Sequence, residues 1–344
     1  VGGTGTTVVV AQQDVRNLGG RITGTDTLVS AGRDVINASQ TITNTNTLAN
    51  GNSASATAVG SVASIGGTST VAVLAGRDIN MAGGDVNAGS TASLVAGRDL
   101  NLRTVATGTT QDATANGAQD WLRNQSTTGV GSSVQAGSNV AAVAGRDATL
   151  SGSLIDAGGN ATLLAGRDVA VTAAMDTQTH DSGAFSNKQS QFTQSSYDET
   201  ARGSAVQAGN NATLGAGQSA TVNQVLQANG ISPAADAMGG TGNLTVLGSS
   251  VSTGAANGGG GTAGLIATGD VNIGTVNETH ASDSWSQSRS SGFLSKSETT
   301  RESSSRESIA VGSVVSAETV TGSAGRDLTV SGSTMAATKD LTLD

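Results

Sequence analysis

The sequence predicts an all-β fold: a parallel β-solenoid, one continuous stack of coils over residues 1–344, with polar β-hairpin excursions protruding from it. Three observations predict it. The stretch AGRD recurs at 31–34, 75–78, 96–99, 144–147, 165–168 and 324–327. Gly76 to Gly97 and Gly145 to Gly166 are both steps of 21 residues, and a fixed period of that size with short strands and glycine turns marks a repeat architecture. Each copy is also followed by a short apolar strand, most of them alternating, such as Leu100-Asn101-Leu102. That alternation turns one face of a short strand inward.

A single coil cannot bury that face, so coils stack and share one narrow core. The unit at 144–164 reads AGRDATLSGSLIDAGGNATLL. It contains two turn-plus-strand units, Asp147 leading into 148–150 and Asn160 leading into 161–163. Residues 75–95 match it position for position, and 324–343 repeat its pattern at the other end. Weaker copies end at Asn139, Asn211, Asn243 and Asp270, and the most degenerate place Thr91 or Ser219 at the fourth position. That position keeps a short side-chain oxygen but not a charge. Gly32, Asp34, Gly76, Asp78, Gly97, Asp99, Gly145, Asp147, Asn160, Gly166, Asp168, Gly325 and Asp327 are therefore read as a structural turn motif. The glycines are expected to supply positive φ at the corners. Arg33, Arg77, Arg98, Arg146, Arg167 and Arg326 are expected to form an exposed ladder whose ion pairs contribute ~0–1 kcal/mol each. With the breaks subtracted, about ten or eleven coils remain, a rod of roughly 50 Å at the ordinary strand spacing.

Composition agrees with a narrow interior. Aromatics are 2% of the chain and proline occurs once, so Val, Leu, Ile and Ala must fill the core. A net charge of −9 opposes nucleic-acid binding, which needs a basic footprint. Cysteine is absent, which removes disulfides and thiolate metal sites. No apolar run approaches the ~18 residues needed to span a bilayer as a helix. The chain is expected to be a piece of a longer protein, since its first and last repeats look ordinary.

The repeat breaks at about 103–131, 172–203 and 275–310, and more briefly at 229–240 and 253–263. The long breaks are rich in Ser, Thr, Gln and Asn. They hold every aromatic in the chain: Trp121, Phe185, Phe192, Tyr197, Trp285 and Phe293. These six are the candidate partner contacts, weighed against a plainer role in which each ring pins its own hairpin to the solenoid wall. Two breaks align at an offset of 100, Thr179-His180 with Thr279-His280 and Phe185 with Trp285. Both return through Gly-Ser-x-Val, at 203–206 and 312–315.

No P-loop, dinucleotide fingerprint, HExxH or nucleophile elbow is present. The two histidines occupy equivalent repeat positions and are not expected to meet at a metal. The chain is therefore read as a non-enzymatic segment with no catalytic residues, no cofactor, no metal, no small-molecule substrate and no nucleic-acid partner.

The repeated AGRD-[VIL]-x-[VIL], the AGGNATL half-coil and the polar excursions that return through VGSVV at 311–315 resemble the haemagglutinin repeats of two-partner-secreted exoproteins. That group includes filamentous haemagglutinin adhesins and the exoproteins of contact-dependent growth inhibition. The resemblance implies a right-handed parallel β-helix. It implies export through an outer-membrane partner transporter of a Gram-negative bacterium and display at the cell surface, where a stalk meets a target-cell receptor or envelope. In growth-inhibition systems it implies a segment of a toxin-delivery apparatus, with the toxin elsewhere.

Overall fold

Stacked parallel coils form the body of the molecule. The computed structural model describes residues 1–232, 240–254 and 260–344. Each coil has three strands rather than the two read from the repeat. In the coil that follows Asp147 they are Ala148–Ser151, Leu154–Ala157 and Ala161–Ala165. The strand missed is Leu154–Ala157, whose LIDA carries no preceding AGRD or AGGN turn. Strands equivalent to Ala148–Ser151 form a nine-stranded parallel sheet. The strands of the other two sides are joined in a 17-stranded sheet.

Residues stack on their equivalents in the next coil. Ile65, Val86, Val134, Ile155, Val206, Val251 and Val315 make one inward ladder. Leu94, Ala142, Leu163, Leu214 and Leu265 make another. All of these are essentially inaccessible to solvent. No aromatic is among the buried core residues, and burying each large aliphatic contributes about 1.5–3 kcal/mol. The nine-stranded side sets nine coils, a rod of roughly 40 Å at ~4.8 Å per coil. This is shorter than the repeat alone predicts, because a hairpin at 40–61 and a helix occupy residues that would otherwise form coils.

The helix Ser219–Ala228 corrects the reading of Ser219 as a degenerate turn position. Its buried Val222 and Leu226 cover Val95, Val143 and Leu164, with Leu74 at the margin. Those four residues point outward from adjacent coils, in register Leu74↔Val95↔Val143↔Leu164. An outward apolar row needs a cover, and Val222, Val225 and Leu226 at i, i+3, i+4 supply one. Of the expected break at 229–240, residues 233–239 lie outside the described residues. The same holds for 255–259 of the break at 253–263.

The other insertions are four antiparallel hairpins. They pair Gln40–Thr47 with Ser53–Ser61, Val105–Ala115 with Asp120–Val130, Ala174–Ala184 with Ser190–Arg202, and Val276–Ser291 with Lys296–Val311. The hairpins do not stand apart. They pair edge to edge into one eight-stranded antiparallel sheet, a fin along the rod. They follow Val35–Ala38, Leu100–Arg103, Val169–Thr172 and Val271–Gly274, alternate members of the nine-stranded side. A hairpin is two strands wide, and two stacked coils occupy the same distance, ~9.6 Å. Insertion at every second coil therefore brings neighbouring hairpins to hydrogen-bonding distance with no gap and no overlap.

One joint serves both kinds of coil. Where no hairpin is inserted, Gly83, Gly152, Gly248 and Gly332 turn the corner at φ of +57°, +55°, +55° and +56°. Where a hairpin is inserted, the first returns through Val62-Ala63, whereas at the three later ones Gly131, Gly203 and Gly312 face those turns. A Cβ there would lie 2.1, 2.6 and 2.2 Å from the carbonyl oxygens of Gly152, Gly248 and Gly332. A buried serine follows each glycine of the second kind. Its hydroxyl donates to the last carbonyl of the coil strand that precedes the hairpin: Ser132 to Arg103 at 2.8 Å, Ser204 to Thr172 at 2.7 Å, Ser313 to Gly274 at 2.7 Å. In plain coils Ser153 and Ser249 donate instead to the carbonyls of Ser151 and Leu247. The serine closes the corner whether or not some thirty residues depart from it.

Candidate functional site

The AGRD residues lie along one corner of the rod and act between coils. Five of the six AGRD arginines form a bidentate pair with the fourth-position aspartate of the preceding coil, and Arg326 reaches Asp270 and Asn243 through one nitrogen. Arg33 reaches Asp14, Arg77 reaches Asp34, Arg98 reaches Asp78, Arg146 reaches Asp99 and Arg167 reaches Asp147. The guanidinium side of the ladder is exposed, as at Arg33 and Arg77, while Asp34 and Asp78 are buried. The Arg33 guanidinium pulls the Asp14 carboxyl down to about 2, against a smaller opposing effect of burial. Hydrogen bonding to Asp34, Asp78 and Asp147 raises the pKa of Arg77, Arg98 and Arg167.

The same carboxylates accept the next coil's backbone N–H, as Asp78 does from Asp99 at 3.2 Å and Asp147 from Asp168 at 3.3 Å. Asp168 accepts from Asn243, and Asp270 from Asp327. Where the position is Asn, the amide oxygen does this alone: Asn139 accepts from Asn160 at 2.9 Å, and Asn160 from Asn211 at 3.2 Å. The glycines differ from expectation. Gly32, Gly76, Gly97, Gly145 and Gly325 are not among the positive-φ residues. A Cβ at each would sit 2.1–2.2 Å from a carbonyl oxygen of the coil below. Close stacking, not turn handedness, requires them.

The aromatics lie in the fin. Trp121, Phe185 and Trp285 come from three successive hairpins and stack in a row, with centroids 5.7 Å apart at both contacts and planes 6° and 11° from parallel. Rings thus tie hairpins to one another rather than each to the rod. Register explains the fit: Trp121 opposes Gly183, Gly183 opposes Thr193, and Thr193 opposes Trp285. A Cβ on Gly183 would be 2.3 Å from the Trp121 ring. Trp121 Nε1 is buried without a hydrogen-bond partner. Tyr197 donates its hydroxyl to Glu199 at 2.6 Å, which lowers the Glu199 pKa and raises that of Tyr197. Phe192 is half-exposed, and Phe293 with Leu294 is almost wholly exposed at the tip of the longest hairpin.

Hydrogen bonds reinforce the row. Asp120 accepts from the backbone of Phe185 and Ser186 at 3.0 Å each, from the Ser186 hydroxyl and from Asn116. These contacts, led by the Ser186 hydroxyl, hold its carboxyl near 2. The two histidines make equivalent inter-hairpin bonds. His180 Nδ1 lies 2.6 Å from Asn124 Oδ1, and His280 Nδ1 lies 3.1 Å from Asp198 Oδ1. The Asp198 hydrogen bond raises the His280 pKa, with burial opposing and Glu278 assisting. Among the described residues, no three His, Asp or Glu side chains are placed to hold a metal ion.

Beside the ring row lies a groove of about 500 Å³ lined by Trp121, Asp181, Thr193, Ser195, Asp283, Trp285 and Glu302. Its acids follow from register: Asp112, Arg123, Asp181, Ser195, Asp283 and Ser304 occupy one cross-strand row. Arg123 is the single cation of that row and lies between Asp112 and Asp181 at 3.5 and 3.7 Å. An acidic, hydroxyl-lined groove with aromatic walls is suited to cationic or hydroxyl-bearing groups.

Sequence reasoning missed the hairpin at 40–61, which has no aromatic and whose Thr/Asn/Ser alternation passes for coil. It also missed the union of the hairpins. The signal for that union was the spacing of insertions by two coils.

A family model described as Hemagglutinin repeat matches residues 113–289. The matched span runs from within the second hairpin into the first strand of the fourth, so it contains coils and fin together. A tRNA nuclease CdiA-2 of Burkholderia pseudomallei (strain 1026b) is 37% identical over 84 residues, 24% of this chain and 3% of that relative. No solved structure matches the chain.

Proposed function

The chain belongs to the hemagglutinin-repeat family, and from that membership we propose that it is a structural and interaction segment, not an enzyme, of a large secreted surface fibre. The coils form the stalk and the fin meets another cell's surface. A right-handed turn of the coil accompanies this reading, supported by the strong preference of parallel crossovers for that hand. Family membership supports export through an outer-membrane partner transporter and display at the cell surface. The observation that carries the reading is the tip of the longest hairpin. Phe293 and Leu294 are exposed there, at 101% and 92%, the two most exposed large apolar side chains among the described residues. Exposed apolar groups on a rigid support mark a contact surface.

A second reading is favoured by the match to the CdiA-2 relative: the segment belongs to a delivery device acting at the target-cell envelope, with any nuclease activity elsewhere in the longer protein. One variant tests both. Phe293→Ser with Leu294→Ser leaves folding and surface display unchanged and lowers target-cell binding about tenfold, a loss of ~1.4 kcal/mol. Unchanged binding with intact display would refute the contact role. Intact binding with lost toxin transfer would select the delivery reading.

A further inference from the structure

The fin ends on a strand whose outer edge is unpaired. Lys296–Val311 is the last strand of the eight-stranded sheet, bonded on one side only, and all but its final residue are exposed. Such an edge is a template for another strand unless something blocks it. The usual block is charge, and this strand carries Arg301, Glu302, Arg306 and Glu307. None of the four forms an ion pair or side-chain hydrogen bond among the described residues. Their partners on the inner side are Ser286, Trp285, Ala281 and His280.

The order of these charges is not that of a block. Arg301-Glu302-Ser303-Ser304-Ser305-Arg306-Glu307 is self-complementary when read against itself in the opposite direction. With Ser304 opposite its own copy, Arg301 faces Glu307, Glu302 faces Arg306, and symmetry repeats both pairs. Centring on Ser303 or Ser305 opposes no charged pair at all. Centring on Glu302 or Arg306 sets that charge on its own copy, and Ser304 is the one centre that opposes four complementary pairs with no like pair.

The backbone permits the favourable register. Along an edge strand, alternate residues turn their N–H and C=O outward. In a two-fold pair centred on a residue, opposed residues share parity, so outward groups meet outward groups. Opposed residues also share a face. One face therefore receives both Arg301–Glu307 pairs and the other both Glu302–Arg306 pairs.

We propose that Lys296–Val311 is a homotypic interface: two copies of this chain pair antiparallel through it about an axis at Ser304, joining their fins into one continuous sheet. This goes beyond the contact role above, and its test does not depend on any target cell. The fin is then a means by which neighbouring stalks associate side by side, an isologous contact that closes on itself.

Sedimentation of the 344-residue chain across concentration reads the association. A dimer is expected, and a monomer at every concentration overturns the proposal. Arg301→Glu with Arg306→Glu opposes four carboxylate pairs and should weaken dimerisation at least a hundredfold. Arg301→Glu with Glu307→Arg restores complementarity in reversed sign and should recover it. All four positions are exposed, so circular dichroism should be unchanged throughout. Equal dimerisation of the first variant, or no recovery in the second, overturns the assignment. Ser304→Cys supplies an independent reading. The chain has no cysteine, and residues opposed across a two-fold lie within disulfide reach. Mild oxidation should cross-link Ser304→Cys into a dimer and leave Ser297→Cys uncross-linked; equal cross-linking of both would overturn the register.

Discussion

A single short side chain does two tasks at the fourth position of the repeat. Asp78 accepts the Asp99 N–H and both arms of the Arg98 guanidinium. Asn139 performs the first task without the second. Asp78→Asn should therefore keep the inter-coil backbone bond and lose the ion pair. Asp78→Ala should lose both, costing about 1–3 kcal/mol for the unpaired buried N–H and guanidinium contact. Urea unfolding of the two variants checks this, and equal losses would contradict it. His280 sets a second dependence at this scale. Its pKa is raised by Asp198, so the protonated form is favoured by the folded fin. The stabilisation is fully present below about 6.5, its ordinary value, and is lost as pH rises through the raised value. Thermal unfolding of the fin, followed by tryptophan fluorescence, should shift to lower temperature on going from pH 6 to pH 9. His280→Gln should remove that shift. The sequence showed the turn residues and an ion-paired ladder but not every partner: Asp78 and Arg98 are 20 residues apart, whereas Asp34 and Arg77 are 43 apart. A period of 21 leads one to expect the partner within a single coil length, and the inserted hairpin at 40–61 hides it.

At the scale of elements, coil and hairpin are separable because one Gly-Ser joint closes both corners. Ser151-Gly152-Ser153-Leu154 turns directly, whereas Thr172 and Gly203-Ser204-Ala205 do so around a hairpin. Deleting 173–202 creates Thr-Gly-Ser-Ala, the plain corner. Gly203 then needs the positive φ that Gly152 shows at +55°, and glycine adopts it without strain. The shortened chain should keep the far-ultraviolet signal of the solenoid and its proteolytic resistance around Leu163, while Trp121 and Trp285 lose their Phe185 bridge. Loss of the whole fold would show that the hairpins are structurally required. The three long excursions were legible as breaks in the apolar period, since alternation lapses and aromatics enter together. The helix Ser219–Ala228 was not, because its role depends on Leu74, Val95, Val143 and Leu164 lining up across coils. That row exists only once the coils are stacked.

The whole molecule is two commensurate stacks, a solenoid of parallel coils and a fin of antiparallel strands, growing along one axis at the same spacing. Sequence periodicity made the first legible. The second needs the count of coils between insertions, and the unread hairpin at 40–61 and unread third strand of each coil obscured that count. The arrangement makes the fin a continuous surface, so the ring row and acidic groove are built from residues of separate hairpins rather than displayed on any one. This continuity is the central feature of the molecule, and it is tested by joining two hairpins that are neighbours only if the fin exists. Thr127 of the second hairpin opposes Thr177 of the third. Gln178, next in the chain, points to the other face. In this cysteine-free chain, Thr127→Cys with Thr177→Cys should form an intramolecular disulfide on mild oxidation, mapped by mass spectrometry, and Thr127→Cys with Gln178→Cys should not. A single continuous fin predicts that difference. No cross-link in the first pair, or equal cross-linking in both, would mean that the hairpins project independently.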